Sequence, residues 1–184
     1  KNKKKPYTGK SVEKYENGKK FVTNYNNGKL DGLSILYYLD GSKSCEEFYG
    51  NGKMFYARSW KPDGSNCELT KGMDGEGVTQ TYHASGKVEW RGRYSNGEWH
   101  GLGTWWYENG EKKSEGNYKD GKQDGLTTLW YDSGQKEQEV NWKNGKQDGL
   151  GTWWYENGEK KSEGNYKDGK QDGLTTLWYD SGQK

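Results

Sequence analysis

Large apolar residues recur along this chain at fixed distances from glycines, and polar residues fill most positions between them. Residues 101–136 are repeated without change as residues 149–184. Each copy contains two similar halves, the first beginning at Gly101 or Gly149 and the second at Gly125 or Gly173. The basic period is therefore about 24 residues, which is typical of a tandem repeat in which each copy folds into one small supersecondary unit.

Glycines mark two interleaved series of turns. The first series contains Gly18, Gly41, Gly64, Gly86, Gly110, Gly134, Gly158 and Gly182. The second series contains Gly28, Gly52, Gly75, Gly97, Gly121, Gly145 and Gly169. Most of these glycines follow Asn, Asp or Ser, and such pairs favour the positive φ angles of tight hairpin turns. The stretches between the turns have room for strands of about five to seven residues.

Side chains alternate between the two faces of a strand, so the pattern also predicts which residues share a face. Leu102, Thr104 and Trp106 fall on one face, and Trp105 and Tyr107 fall on the other. Both faces therefore carry aromatic residues in every repeat. We expect an all-β fold without α-helix: an elongated, single-layer antiparallel sheet of tandem hairpins.

If Asn109 and Gly110 form a two-residue turn, Tyr118 joins the face of Trp105, and Gly103 and Gly116 leave space there for the rings. Aromatic rings and lysine stems would then cover most of the apolar surface, because such a sheet has no second layer. The aromatic residues of the regular part form a candidate interaction surface. Its members are Trp105, Trp106, Tyr107, Tyr118, Trp130, Tyr131, Trp142, Trp153, Trp154, Tyr155, Tyr166, Trp178 and Tyr179.

The chain divides into a basic tail, residues 1–10, and one continuous repeat array, residues 11–184. The array is irregular over residues 11–81 and regular over residues 82–184, where the last repeat is incomplete. Its last strand has an open edge, and an open edge is a template for another chain. We expect homo-association through residues 173–184, with a frayed and solvated end as the alternative.

The composition concentrates the apolar content in aromatic rings. Only 28% of the residues are hydrophobic and the mean hydropathy is −1.42, yet 15% are aromatic. Disordered chains are poor in aromatic residues, so this composition favours a folded chain. The 29 basic residues nearly balance the 27 acidic residues, which argues against a nucleic-acid partner.

No signal peptide is evident, but a chain that opens with Lys is compatible with a leader that has been removed. The sequence does not settle the compartment, and its lean is to the bacterial cell envelope or to secretion with the leader removed.

Several segments resemble the MORN repeat, whose pattern is Tyr-Glu-Gly-x-aromatic-x-Asn-Gly-Lys-x-x-Gly. Residues 115–125 (EGNYKDGKQDG), their copy from Glu163 and residues 91–101 (RGRYSNGEWHG) follow it. Ser114 replaces the usual Tyr before Glu-Gly, a departure that resembles the bacterial MORN variant often labelled a YwqK-type antitoxin. The choline- and glucan-binding cell-wall repeats are a competing resemblance, but they usually place Gly-Trp where this chain has Gly-Leu.

The repeat pattern is interrupted between residues 56 and 78, which is where an active site would be expected in such an array. This segment contains Asp63, Cys67, Glu68, Asp74 and Glu76. No nucleophile, base and orienting acid can be assembled from these residues. We therefore predict no catalytic residues and no cofactor.

The two histidines and the two cysteines do not form a zinc pattern. His83 and His100 occupy positions that Tyr and Asp fill in other repeats, and Cys45 and Cys67 are widely separated in the sequence. Equivalent strands in adjacent repeats lie about 9–10 Å apart, which is too far for a disulfide. We expect free thiols and no metal site, although the local irregularity leaves a disulfide open.

The sequence thus predicts a non-catalytic repeat scaffold that mediates protein–protein interaction or acts as a spacer. Binding of anionic phospholipid is an alternative, because the resemblance implies it and the array displays lysines such as Lys112, Lys119 and Lys122. Cell-surface carbohydrate is a second alternative. It would stack on the tryptophans Trp105, Trp106, Trp153 and Trp154.

Overall fold

The computed structural model of the protein describes residues 5–14, 20–67, 71–73 and 75–183. Its strands are β1 (Gly9–Lys14), β2 (Lys20–Asn26), β3 (Lys29–Leu30), β4 (Gly32–Tyr37), β5 (Lys43–Gly50), β6 (Lys53–Ser59), β7 (Lys71–Met73), β8 (Glu76–Tyr82), β9 (Val88–Ser95), β10 (Glu98–Trp99), β11 (Gly101–Trp106), β12 (Lys112–Lys119), β13 (Lys122–Trp130), β14 (Lys136–Lys143), β15 (Lys146–Trp154), β16 (Lys160–Lys167) and β17 (Lys170–Leu177). None of the described residues lies in a helix, so no helix among them could cross a membrane.

The chain forms two compact units, Lys1–Glu98 and Trp99–Lys184, and each is described by itself. In the second unit, β11 to β17 pair in chain order, and every pairing is antiparallel. In the first unit, consecutive strands from β1 to β9 also pair antiparallel, except that β4 pairs with β2 beside the short β3. The predicted tandem hairpins are confirmed. The prediction of one continuous array over residues 11–184 remains a prediction.

The turn glycines adopt the predicted positive φ angles, which favour glycine because it has no Cβ. The members of the two series with positive φ are Gly28, Gly41, Gly52, Gly64, Gly75, Gly86, Gly97, Gly110, Gly121, Gly134, Gly145, Gly158, Gly169 and Gly182. Gly18 lies outside the described residues. At most turns of the second series the preceding residue also has positive φ, as at Asn144 (φ 50°), so these are two-residue type I′ turns.

The first series of turns differs from the prediction. Asn109 and Gly110 do not form a two-residue turn, because the backbone N–H of Tyr107 donates to the carbonyl of Glu111 at 2.9 Å. The loop therefore comprises residues 108–110, and the N–H of Gly110 donates to the carbonyl of Tyr107. A type I turn followed by a left-handed glycine produces this geometry.

The second unit has a core of small residues beneath aromatic rings. Along the middle of one face, Gly103 pairs with Gly116 and Gly151 pairs with Gly164, and all four residues are buried. A Cβ added at Gly151 would lie 2.7 Å from Cη2 of Trp153, so this indole lies directly over the glycine backbone. The predicted use of glycine to make space for rings is thereby confirmed.

The first unit buries most of the large apolar side chains. Nine of the ten buried hydrophobic residues among the described positions belong to it, and the tenth is Val140. These nine are Val22, Tyr38, Cys45, Met54, Ala57, Cys67, Tyr82, Trp90 and Tyr94. The first unit thus has a better-protected interior than the second unit has.

Candidate binding faces of the regular repeats

The two faces of the second unit differ in chemistry, and we name them by their side chains. The ring face carries the aromatic and leucine side chains Trp99, Trp105, Tyr118, Leu129, Trp142, Trp153, Tyr166 and Leu177. The ladder face carries Trp106, Trp130, Trp154 and Trp178, which alternate with lysines. The thirteen residues proposed from the sequence are therefore divided between two faces and the loops, and do not form one surface.

On the ring face, aromatic side chains contact one another within and between repeats. The rings of Trp99 and Trp105 are stacked, with centroids 5.9 Å apart and an interplanar angle of 11°. The ring of Tyr118 lies 5.3 Å from that of Trp99, and burial raises the pKa of its hydroxyl. Trp153 and Tyr166 meet edge to face at 6.0 Å. Trp99 was absent from the predicted surface, although its place shortly after the turn glycine Gly97 could have indicated it.

On the ladder face, each lysine contacts a glutamate on its own strand and the ring of a tryptophan in the next repeat. Nζ of Lys112 lies 2.7 Å from a carboxylate oxygen of Glu115 and 5.6 Å from the ring centroid of Trp130. Lys136 and Lys160 repeat the arrangement, at 5.8 Å from Trp154 and 5.6 Å from Trp178. The cation–π contact therefore connects neighbouring repeats and contributes about 0.5–1 kcal/mol at such exposed sites. The ion pair lies within one strand and contributes about 0–1 kcal/mol.

The tyrosines at the loops bind the backbone of the next repeat. The hydroxyl groups of Tyr107, Tyr131 and Tyr155 donate to the carbonyl oxygens of Trp130, Trp154 and Trp178. Burial raises the pKa of the Tyr107 hydroxyl, and the carboxylates of Glu137 and Asp132 add to that effect. These three tyrosines therefore have a structural role, whereas Tyr179 is 68% exposed.

A column of leucines on the ladder face is the most exposed apolar feature that recurs in the array. Leu102 is 46% exposed, and Leu126 and Leu150 are each 44% exposed. The strand between successive leucines places an asparagine opposite them, as in the pairs of Leu102 with Asn117 and of Leu126 with Asn141. The column was visible in the sequence but was not included in the predicted surface.

At the two-residue turns, acidic side chains accept hydrogen bonds from the following repeat. Oδ2 of Asp124 accepts from the N–H of Asn144 at 3.0 Å, and Oε1 of Glu76 accepts from the N–H of Asn96 at 2.6 Å. His100, in the place of Asp124, lies 3.6 Å from the carboxylate of Asp120. His100 therefore occupies a position that an acidic residue fills in other repeats.

In the interrupted segment, the described side chains of Cys67 and Asp63 both accept hydrogen bonds. Cys67 is buried and accepts a hydrogen bond from the Tyr82 hydroxyl at 3.1 Å, beside a cavity of about 390 Å³. Asp63 accepts hydrogen bonds from Ser65, which lower the pKa of its carboxyl. Glu68 and Asp74 lie outside the described residues.

The cysteines are unbridged in the structure, and burial raises the pKa of Cys45 well above its usual value. Across the described residues, no group of three or more His, Cys, Asp or Glu side chains is placed to hold a metal ion.

The fold and these periodic contacts define the second unit as a tandem β-hairpin repeat array. Residues 99–120, 123–144 and 147–168 match the family described as MORN repeat variant, as three consecutive repeats. The resemblance inferred from the sequence is thereby confirmed. MORN repeats are often involved in binding or scaffolding. Among curated proteins, none matches the chain significantly.

Proposed function

We propose that this protein is a non-catalytic scaffold that binds a protein partner along the leucine column of the ladder face. The observation that carries the proposal is the repeated exposure of Leu102, Leu126 and Leu150 at nearly the same level. Exposure of one leucine is ordinary, but an aligned row of apolar side chains is typical of an interaction surface.

The surroundings of the column also favour a protein partner. The lysines beside it are paired with glutamates, as Lys136 is with Glu139 at 2.6 Å, so the face carries little unpaired charge. Protein interfaces are depleted of charged residues at their centre. Successive leucines lie two strands apart, about 10 Å, so a partner that spans several repeats gains from simultaneous contacts.

The test compares binding partners recovered by the wild-type chain and by a variant with Leu102→Asn, Leu126→Asn and Leu150→Asn. The matched control replaces Lys122 and Lys146, which are exposed at the two-residue turns, by Gln. We expect the leucine variant to lose a partner that the control retains. Calorimetry with the purified partner then measures the affinity, which should fall at least tenfold in the leucine variant. A partner bound equally by both variants would contradict the use of this column.

Anionic phospholipid is the second candidate, but the paired lysines of the ladder face do not favour it. Flotation with vesicles that contain anionic lipid separates the two functions. Salt-sensitive flotation that is lost in the Lys122→Gln, Lys146→Gln variant would replace the protein-binding proposal by a lipid-binding one.

A further inference from the structure

The ring face of the second unit has a chemistry that the proposed protein-binding function does not use. We propose that this face binds a chain of neutral sugars, with the indoles of Trp105 and Trp153 as stacking platforms. The proposal is independent of the leucine column, because the two sets of side chains lie on opposite faces of the strands.

The first support is the orientation of the indoles. A Cβ at Gly151 would lie 2.7 Å from Cη2 and 2.9 Å from Cζ3 of Trp153, so the six-membered ring rests on the backbone. Trp105 lies over Gly103 in the same way, at 3.4 Å. Both tryptophans are half-buried, and the ring of Trp105 is also stacked with that of Trp99, so the two indoles form the platform there together. A flat aromatic surface is suited to the C–H face of a sugar ring, because those hydrogens meet the negative face of the π system.

The second support is the absence of charge on this face. Between the loops and the two-residue turns, the described residues of the ring face include no charged side chain. The polar side chains among the rings include Ser114, Gln123, Thr127, Gln138, Gln147 and Ser162. Amides and hydroxyls both donate and accept hydrogen bonds, which suits a ligand rich in hydroxyl groups. A charged ligand would be desolvated there without a counter-charge.

The third support concerns the size of the ligand. Trp105 on β11 and Trp153 on β15 are separated by four strand spacings, about 19 Å. A single sugar therefore cannot contact both platforms, but an oligosaccharide chain can. Trp99 and Tyr118 enlarge the first platform, and Tyr166 flanks the second.

Other repeats of the array show which residues the fold accepts at the positions of Trp105 and Trp153. Leu129 and Leu177 occupy the places equivalent to Trp105 and Trp153, so the fold already accepts leucine there. Thr127 takes the place of the glycine beneath the ring, and it pairs with Val140 as Gly151 does. The double substitution Thr127→Gly, Leu129→Trp should therefore create a third platform between the two present ones.

The experiment titrates the wild-type chain with soluble cello-oligosaccharide and chito-oligosaccharide, followed by tryptophan fluorescence and calorimetry. We expect saturable binding that high salt leaves unchanged, because the ligand is neutral. Trp105→Leu and Trp153→Leu should each lower the affinity at least tenfold, and the Thr127→Gly, Leu129→Trp variant should raise it severalfold. Circular dichroism checks that each variant keeps its strands.

Several outcomes distinguish this proposal from the protein-binding function. The Leu102→Asn, Leu126→Asn, Leu150→Asn variant should bind the oligosaccharide as the wild type does, even though it loses the protein partner. No binding of either oligosaccharide at millimolar concentration overturns the sugar proposal and leaves the protein-binding function unaffected. Binding that is unchanged in the two Trp→Leu variants also overturns it. If the variants instead lose a protein or an anionic vesicle, the ring face serves that class of ligand and the sugar proposal is wrong.

Discussion

The hydroxyl group of Tyr107 donates a hydrogen bond to the carbonyl oxygen of Trp130, 2.7 Å away and one repeat further along the chain. Tyr131 makes the same bond to Trp154 at 2.8 Å. Each bond joins two neighbouring repeats at the three-residue loops. The stability of such an array is approximately the sum of terms within each repeat and terms between neighbours. These hydrogen bonds contribute to the terms between neighbouring repeats.

Replacing Tyr131 by Phe should lower the free energy of unfolding by about 1 kcal/mol, because the bond to the Trp154 carbonyl is lost. Tyr179→Phe is the control, since Tyr179 has the same place in the repeat but is 68% exposed. Urea unfolding followed by tryptophan fluorescence measures both changes. Equal losses in the two variants would contradict an inter-repeat role for the hydroxyl.

The features that local geometry determines were predictable from the sequence. Asn144 and Gly145 need positive φ to close a two-residue turn, and this requirement is visible in the residue types alone. Alternation along a strand placed Leu102 and Thr104 on one face and Trp105 on the other, as observed. The three-residue loop at Gly110 was not predicted, because Asn-Gly is compatible with either loop length.

Side-chain contacts between repeats were harder to predict from the sequence. The sequence showed Lys112 only as one of the lysines that the array displays, but it pairs with Glu115 and lies over the ring of Trp130. Trp130 belongs to the next repeat, and the contact depends on the strand register, which includes a bulge between Trp105 and Trp106. Hydrophobic periodicity fixes which face a side chain takes, but it does not fix which neighbour a long side chain reaches.

Gly110→Val should destabilise the chain by about 1–2 kcal/mol or more, because Gly110 has a φ of 98°, where a side chain is strained. Glu108→Val is the control, since it introduces the same side chain at an exposed residue of the same loop without a positive φ. Thermal unfolding by circular dichroism compares the two. A larger loss in Glu108→Val would mean that the loop conformation is wrong.

The stability of the first unit should decrease as the pH rises because of Glu47. Burial raises the pKa of this carboxyl above its ordinary value of 4.5, and the hydrogen bond from the Tyr49 hydroxyl at 2.8 Å offsets only part of the effect. Because the folded-state pKa is the higher one, the folded chain binds this proton more tightly than the unfolded chain does. Stability is therefore fully present below the unfolded pKa and falls as pH rises through the folded pKa.

Glu47→Gln should remove this fall and stabilise the chain near neutral pH, because the amide oxygen still accepts from Tyr49 and no charge is buried. Melting temperatures of the wild type, Glu47→Gln and the exposed control Glu13→Gln, measured from about pH 4 to about pH 7, test the sign. Curves for Glu47→Gln that run parallel to the wild type would show that Glu47 does not cause the dependence.

Substitutions at Gly151 and Trp153 should be energetically coupled, because the ring of Trp153 lies over the backbone of Gly151. Gly151→Thr places a Cβ where the ring of Trp153 now lies, at 2.7 Å from Cη2, so we expect a loss of about 1–3 kcal/mol. Trp153→Leu alone removes the cover of a buried glycine and should also destabilise the chain. The double variant recreates the pair of Thr127 and Leu129, which the array already uses. It should therefore lose less than the sum of the single losses, by about 1 kcal/mol or more, in a double-mutant cycle measured by urea unfolding. Additive losses would mean that the ring and the glycine backbone do not depend on each other, and that the core of the regular repeats is formed in another way.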